Sequence, residues 1–240
     1  MKTNNIMKKV LFVLAFLPML TFAGEGLHLD KAPIDVSNQQ SLQRGARTFV
    51  NSCLNCHSAN YMRYNRLLEI GLTEQQIKDN LLFAGDKVGD TMKVALNKAD
   101  AKKWFGVAPP DLSVEVRARG ADWVYTYLRS FYRDDTSASG WGNCVFDPLS
   151  CKVSMPHALY ELQGEQTLNQ ETHELTLTKP GKMSVAEYDA LAGDLTNFMA
   201  FMAEPAKQQR NRMGWFVLLF LGVLLVLTYK LKKAYWKDIH

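Results

Sequence analysis

The pentapeptide Cys53-Leu54-Asn55-Cys56-His57 carries the most specific chemistry in the chain. Two thiols two residues apart, followed at once by an imidazole, form the C-x-x-C-H pattern of c-type haem attachment. Each thiol can add to one vinyl group of a single porphyrin, and the next residue's ring then supplies a nitrogen to the iron. A bare Cys-x-x-Cys also occurs in redox and zinc sites. A zinc site wants a second Cys/His pair at ligand spacing, and none is obvious here.

An iron held by one imidazole has a sixth position, and what fills it decides function. An open position permits ligand binding and catalysis. A second strong ligand makes an electron carrier, and methionine sulfur raises its potential. The chain has ten Met. Met1, Met7 and Met19 fall in an N-terminal leader, and Met213 borders a long apolar run. Met199 and Met202 lie on a segment of helical periodicity, where Met is usually core. Met155, in Val153-Ser154-Met155-Pro156-His157, stands on irregular sequence and is pinned by the following proline. It leads from spacing, with Met92 and Met183 behind it. A bis-His site using His157 or His28 competes.

Cys144 and Cys151 lie outside the haem motif. In an exported domain two leftover thiols are expected to pair. The short ring would contribute roughly 2–3 kcal/mol on a chain-entropy estimate. It would also stiffen the loop just before Met155.

The elements that must position these groups read as mainly α with long loops. Leu42, Ala46, Phe49 and Val50 recur at helical spacing and predict a helix over 41–53 that ends on the haem motif. A short helix is expected over 74–83, and 85–110 is loop-rich. Pro109-Pro110-Asp111 reads as a stop followed by a helix start, with Asp111 or Ser113 as cap. A helix over 122–132 carries Trp123, Tyr127 and Leu128. Residues 133–157 read as irregular, and 168–178 as a small hairpin. Ser184 with Glu187 forms a capping box for a last helix whose apolar face includes Tyr188, Leu191, Leu195, Phe198 and Met202.

Haem is joined to such motifs on the oxidising side of a membrane, so an export signal is expected. Lys2, Lys8 and Lys9 precede a short apolar run from Val10 to Phe22, with small residues at Ala23 and Gly24. This has the size of a signal sequence rather than a span. The run 213–229 has no charge and aromatic residues near both edges, as a membrane anchor does. The predicted organisation is therefore a signal peptide over 1–23 and a periplasmic domain over 24–205. A basic juxtamembrane linker (206–212), a transmembrane anchor (213–229) and a cytoplasmic tail (230–240) follow. The chain's formal charge of +4 belongs to targeting and anchoring. Without the leader's three Lys and the tail's four Lys and one Asp, 21 basic face 23 acidic residues. Nothing there argues for nucleic acid.

In five blocks, taken in order, the chain resembles cytochrome c1, the haem-bearing subunit of bacterial ubiquinol–cytochrome c reductase (bc1) complexes. They are CLNCH at 53–57, APPDLS at 108–113 with VRARG at 116–120, MPHALYELQG at 155–164, MSVAEYD at 183–189, and EPAKQQRNRMG at 204–214 entering one anchor. The resemblance runs from about Gly26 to the C-terminus. It implies a class I cytochrome c-like fold with crossing N- and C-terminal helices and one covalently bound haem c. His57 and Met155 would be the axial ligands, and Pro109 and Pro110 would line the haem edge. Arg119 would contact a haem propionate, with Arg117 as its neighbour. The family's aromatic after that Arg matches Trp123 with a register shift. The implied job is to accept one electron from the Rieske iron–sulfur protein and pass it to a soluble or membrane-bound cytochrome c, beside cytochrome b. The chain would not be an enzyme on its own. A stand-alone anchored cytochrome c donating to a terminal oxidase or reductase is the alternative.

One charge feature fits docking of a basic cytochrome. Residues 161–194 hold seven acids and two Lys, enough to steer a cationic partner if they are free.

Overall fold

The computed structural model describes residues 28–237. The predicted signal peptide (1–23) and the last three residues of the predicted tail lie outside that range. Among the described residues the chain is mainly helical, with three two-stranded antiparallel sheets set into long loops.

The first helix, α1 (Gln39–Thr48), begins where the Asn38 side chain accepts the Ser41 N–H. It runs into a π-turn over Phe49–Cys53. The single helix expected over 41–53 is thus an α-helix that widens by one residue in its last turn. Such π-turns are frequent at functional sites; this one delivers the first thiol of the motif.

The helix α7 (Val185–Ala203) starts at the Ser184–Glu187 capping box, as the sequence predicts. It crosses α1 at Gly45, where a Cβ would stand 2.1 Å from the Asp194 carbonyl oxygen. Only glycine permits that approach. Phe49 meets Phe198 beside it at 5.7 Å between ring centroids, and Arg44 grips Asp194 through two guanidinium nitrogens. Asn197, fully buried, returns both bonds of the Asp35 backbone and donates to Ser41 Oγ. The N-terminal segment is thereby sewn to the same crossing.

Between these helices lie β1 (Ala59–Arg63), a 3-10 helix (Tyr64–Ile70), α2 (Glu74–Asn80), β2 (Thr91–Met92) and α3 (Lys98–Phe105). The helix α3 sits in a stretch read as loop-rich; Asn97 caps it by accepting the Ala99 N–H. After it come α4 (Glu115–Arg119) and α5 (Ala121–Arg129), joined by Gly120 at φ 95°. Strands β3 (Tyr132–Arg133) and β4 (Trp141–Gly142) pair within the region expected to be irregular. The turn α6 (Tyr160–Gln163) leads to a hairpin of β5 (Gly164–Leu168) and β6 (Leu175–Pro180), longer than the one predicted.

Asp111 and Ser113 do not cap a helix. Helix α4 starts after Val114 without a side-chain cap. Asp111 accepts the Asn60 N–H and Ser113 Oγ accepts the Tyr61 N–H, so both are spent tying the Pro109–Pro110 loop to β1.

The last helix, α8 (Lys207–Tyr235), is one continuous element of 29 residues. The basic stretch 206–212, read as a linker, enters it as helix. At 1.5 Å per residue the helix is about 44 Å long. It is apolar enough to cross a bilayer, and none of its residues is buried.

Candidate functional site

The haem motif forms a tight turn beneath a cavity of about 390 Å³, within the size range of cofactor sites. The His57 and Cys56 amides both donate to the Cys53 carbonyl, at 2.8 and 3.1 Å. That turn brings Cys53, Cys56 and His57 to one wall of the cavity. Nδ1 of His57 lies 2.8 Å from the Pro110 carbonyl oxygen. A carbonyl can only accept, so Nδ1 carries the proton and Nε2 keeps its lone pair. Burial pushes the His57 pKa down, more than the Pro110 bond and nearby acids raise it. A neutral imidazole with one nitrogen fixed and the other free is the form that binds a metal.

Cys53 and Cys56 are free thiols. Burial, helped by the neighbouring Cys56, pushes the Cys53 thiol up to about 12. The thiolate is the attacking form in thiol–disulfide exchange, so Cys53 is poorly suited to start it. Among the described residues no group of three or more His, Cys, Asp and Glu could hold a metal ion.

Met155 lines the same cavity, together with its neighbours Ser154 and Pro156. Its sulfur accepts a hydrogen bond from the Tyr127 hydroxyl at 3.3 Å. Burial pushes the Tyr127 phenol up, so it stays protonated and able to donate. The competitors separate by position. Met92 is buried in β2 and Met183 packs against the core; neither lines the cavity. His157 is buried behind Met155 with Nε2 on Gln163, and His28 is exposed at the described N-terminus. Met199 does reach the cavity, from the middle of α7.

Cys144 and Cys151 are disulfide-bonded. Their ring is closed further by Asn143 N–H to Cys151 O at 2.7 Å and Cys151 N–H to Asp147 O at 2.8 Å. Phe146, inside the ring, reaches the cavity rim.

The one strong positive charge at the cavity is Arg119. Its guanidinium pairs with Glu115 one turn back and lies 4.4 Å over the Trp123 ring. Trp123 in turn stacks on Tyr127 at 5.0 Å and 8°. The Trp123 ring reaches the cavity. Arg117 does not. Two residues away on a helix is the opposite face, and Arg117 points to Glu204 at 3.8 Å, just before the anchor helix. Pro109 and Pro110 line the wall beside His57.

The profile of the Cytochrome C1 family matches residues 30–239. The chain belongs to the cytochrome c1 family. It is 48% identical to the cytochrome c1 of Allochromatium vinosum, over 95% of this chain and 97% of that protein. It is 28% identical to the cytochrome c1 of Rhodospirillum rubrum, over 84% and 83%. It is also 50% identical to a Nitrosomonas europaea protein named ammonia monooxygenase gamma subunit, over 98% and 100%.

Cytochrome c1 membership implies covalently bound haem c, and the cavity fits it. Two free thiols, an imidazole with an unspent nitrogen and an overwhelmingly apolar lining meet in one place. Pattern reading missed Tyr127 and Phe146 as cavity residues. For Tyr127 the signal was present: it stands one helical turn after Trp123, on the same face. For Phe146 there was none, because an eight-residue ring has no periodicity to read.

The acidic stretch is less available than its composition suggests. Glu161 pairs with Lys182, Glu165 with Lys179, Asp189 with Arg129 and Asp194 with Arg44. Glu187 is spent in the α7 capping box. Of the seven acids, Glu171 and Glu174 at the hairpin turn are in neither an ion pair nor the helix cap among the described residues.

Proposed function

We propose that this chain is the haem c subunit of a bc1 complex, with His57 and Met155 as the residues that would hold its iron. When bound, haem c supplies a one-electron iron couple. The chain's residues do the rest. Cys53 and Cys56 tether the porphyrin, and Pro110 orients His57. The Tyr127 hydroxyl holds the Met155 sulfur, and the apolar lining excludes water. Arg119 offers the cation a buried propionate needs. A site closed on both faces favours electron transfer over ligand chemistry.

The observation that carries this reading is the convergence of His57 and Met155 on one cavity, each with its orienting hydrogen bond in place. Met199 stays with the core because it belongs to the α1–α7 packing layer, whereas Met155 stands on irregular backbone.

The partners follow from family membership: cytochrome b, the Rieske iron–sulfur protein as donor, and a soluble or membrane-bound cytochrome c as acceptor. The anchor is a single C-terminal span in the inner membrane. The haem domain would face the periplasm, with the C-terminus in the cytoplasm. Gentle detergent purification of a tagged full chain tests the assembly. Co-purifying b-type haem and a Rieske cluster is the expected result. A protein carrying haem c alone would favour the stand-alone anchored cytochrome.

A further inference from the structure

His157 is 3% exposed, two residues after Met155, and it does not line the cavity. Its ring lies flat on Phe131, 4.6 Å between centroids at 2°, and stands edge-on to Trp141 at 5.1 Å. A phenylalanine would fill that slot as well. What histidine adds is a directional bond: Nε2 lies 2.6 Å from Gln163 Oε1. Gln163 Nε2 is already donating to the Arg129 carbonyl at 2.8 Å. The amide oxygen is therefore the acceptor, and His157 carries a proton on Nε2.

This chain of bonds ends on a particular place. Arg129 closes α5, the helix that carries Trp123 and Tyr127 to the cavity. Helix C-termini leave carbonyls unpaired, and here side chains from three other segments take them up. Gln163 and Gln166 both donate to Arg129 O. Tyr188 donates to Leu128 O, and Asn143 to Tyr127 O. The backbone just beyond Met155 is thus registered on the same helix end whose Tyr127 hydroxyl meets the Met155 sulfur. Met155 itself packs against the Phe131, Trp141 and Val153 cluster that surrounds His157.

We propose that His157, through Gln163, is a positioning residue for the Met155 sulfur, fixing the 153–157 segment on the C-terminal end of α5. This rests on Met155 as the sixth ligand. It gives a buried polar pair a purpose that packing alone does not supply. An apolar pair would cost less to bury and would leave the segment free to slide.

The test uses the full-length, haem-loaded protein in detergent. Two readouts report the sulfur: the weak far-red absorption band of oxidised haem that marks a methionine–iron bond, and carbon monoxide binding by the reduced form. His157→Phe keeps the stacking and removes the bond. It should raise the methionine-off fraction roughly tenfold, as loss of about one buried hydrogen bond would. Far-UV circular dichroism and covalent haem content should stay at the wild-type level. Gln163→Leu should reproduce the effect from the other partner, and it serves where the His157 variant assembles poorly. His157→Gln, which restores a donor, should recover part of the band. Met155→Leu is the control for the underlying assignment. If it keeps the band and excludes carbon monoxide, Met155 is not the ligand and both readings fall. If it loses the band while His157→Phe and Gln163→Leu behave as wild type, the ligand stands and the positioning role of His157 is wrong.

Discussion

The two sides of the haem cavity are built in opposite ways. The His57 side is built on a rigid turn: a π-turn and a five-residue motif fix two thiols and an imidazole, and one bond to Pro110 sets the ring. The Met155 side stands on irregular backbone. Its sulfur accepts from Tyr127 of α5, and the Cys144–Cys151 ring and the side chains that seal the end of α5 lie on either side of that segment in the chain. A site set by a hydrogen-bonded turn should survive most damage elsewhere. A site held by separate side-chain contacts on irregular backbone should loosen first. The difference predicts that the iron's sulfur bond fails before its imidazole bond under heat, denaturant or mutation.

The largest effects come from removing a ligand on each side. His57→Leu should give no stable haem-loaded protein. Met155→Leu should keep its haem and its fold but open the iron to carbon monoxide. Its midpoint potential should drop by on the order of 0.1 V, a fraction of the range that axial ligation spans. Equal loss of haem in both variants would break the contrast.

Next is the helix crossing that supports the His57 side. Gly45→Val would drive a side chain into the Asp194 carbonyl and the Phe198 Cβ. Overpacking of this kind costs about 3 kcal/mol or more. The haem-loaded yield and the thermal midpoint should both fall, because α1 carries the motif. A normal midpoint would show that the crossing can open without loss.

The Cys144→Ser, Cys151→Ser double variant sharpens the comparison from the other side. Removing the ring should cost about 2–3 kcal/mol. The loss should show as early disappearance of the methionine–iron band on heating, while covalent haem and the His57 bond persist. If the band and the potential are unchanged, the ring is only a surface staple.

The smallest effect concerns pH and the N-terminal strap. The Ala32 N–H holds the Asp122 carboxyl below the usual carboxylate range by more than burial raises it, with smaller help from the Lys31 ammonium. Its folded pKa is depressed, so its contribution is present above the unfolded value of about 4 and is lost as pH falls through the folded value. Acid titration of Asp122→Asn should show less loss of stability below pH ~4 than the wild type. Superimposable curves would remove Asp122 from the account.

The same contrast explains what could be read in the sequence. The motif, the α7 capping box and the apolar run are written in contiguous residues with fixed spacing; the capping box forms at the predicted residues, and the apolar run lies inside a longer helix. Met155 led its alternatives on residue patterns, and the family resemblance singled it out; irregular backbone carries no periodicity that would point its sulfur at Tyr127. Asp111 looked like a helix cap because a short polar residue after Pro-Pro usually is one. Its oxygens instead hold β1, a use only the fold reveals. Arg117 and Arg119 sit alike in the sequence, but helical geometry sends one to Glu204 and the other to the cavity. The acidic stretch shows a related limit of composition. Composition counts charges, and the fold had already paired four of them with Lys and Arg, two from other segments.

The most direct test of a His57–iron–Met155 site is near-infrared magnetic circular dichroism of the oxidised full-length protein, with Met155→Leu beside it. The energy of the ligand-to-iron charge-transfer band separates His/Met from bis-His and His/water ligation. The account predicts a His/Met band in the wild type that is lost in Met155→Leu. A bis-His band in the wild type, or a His/Met band that survives in Met155→Leu, would contradict it.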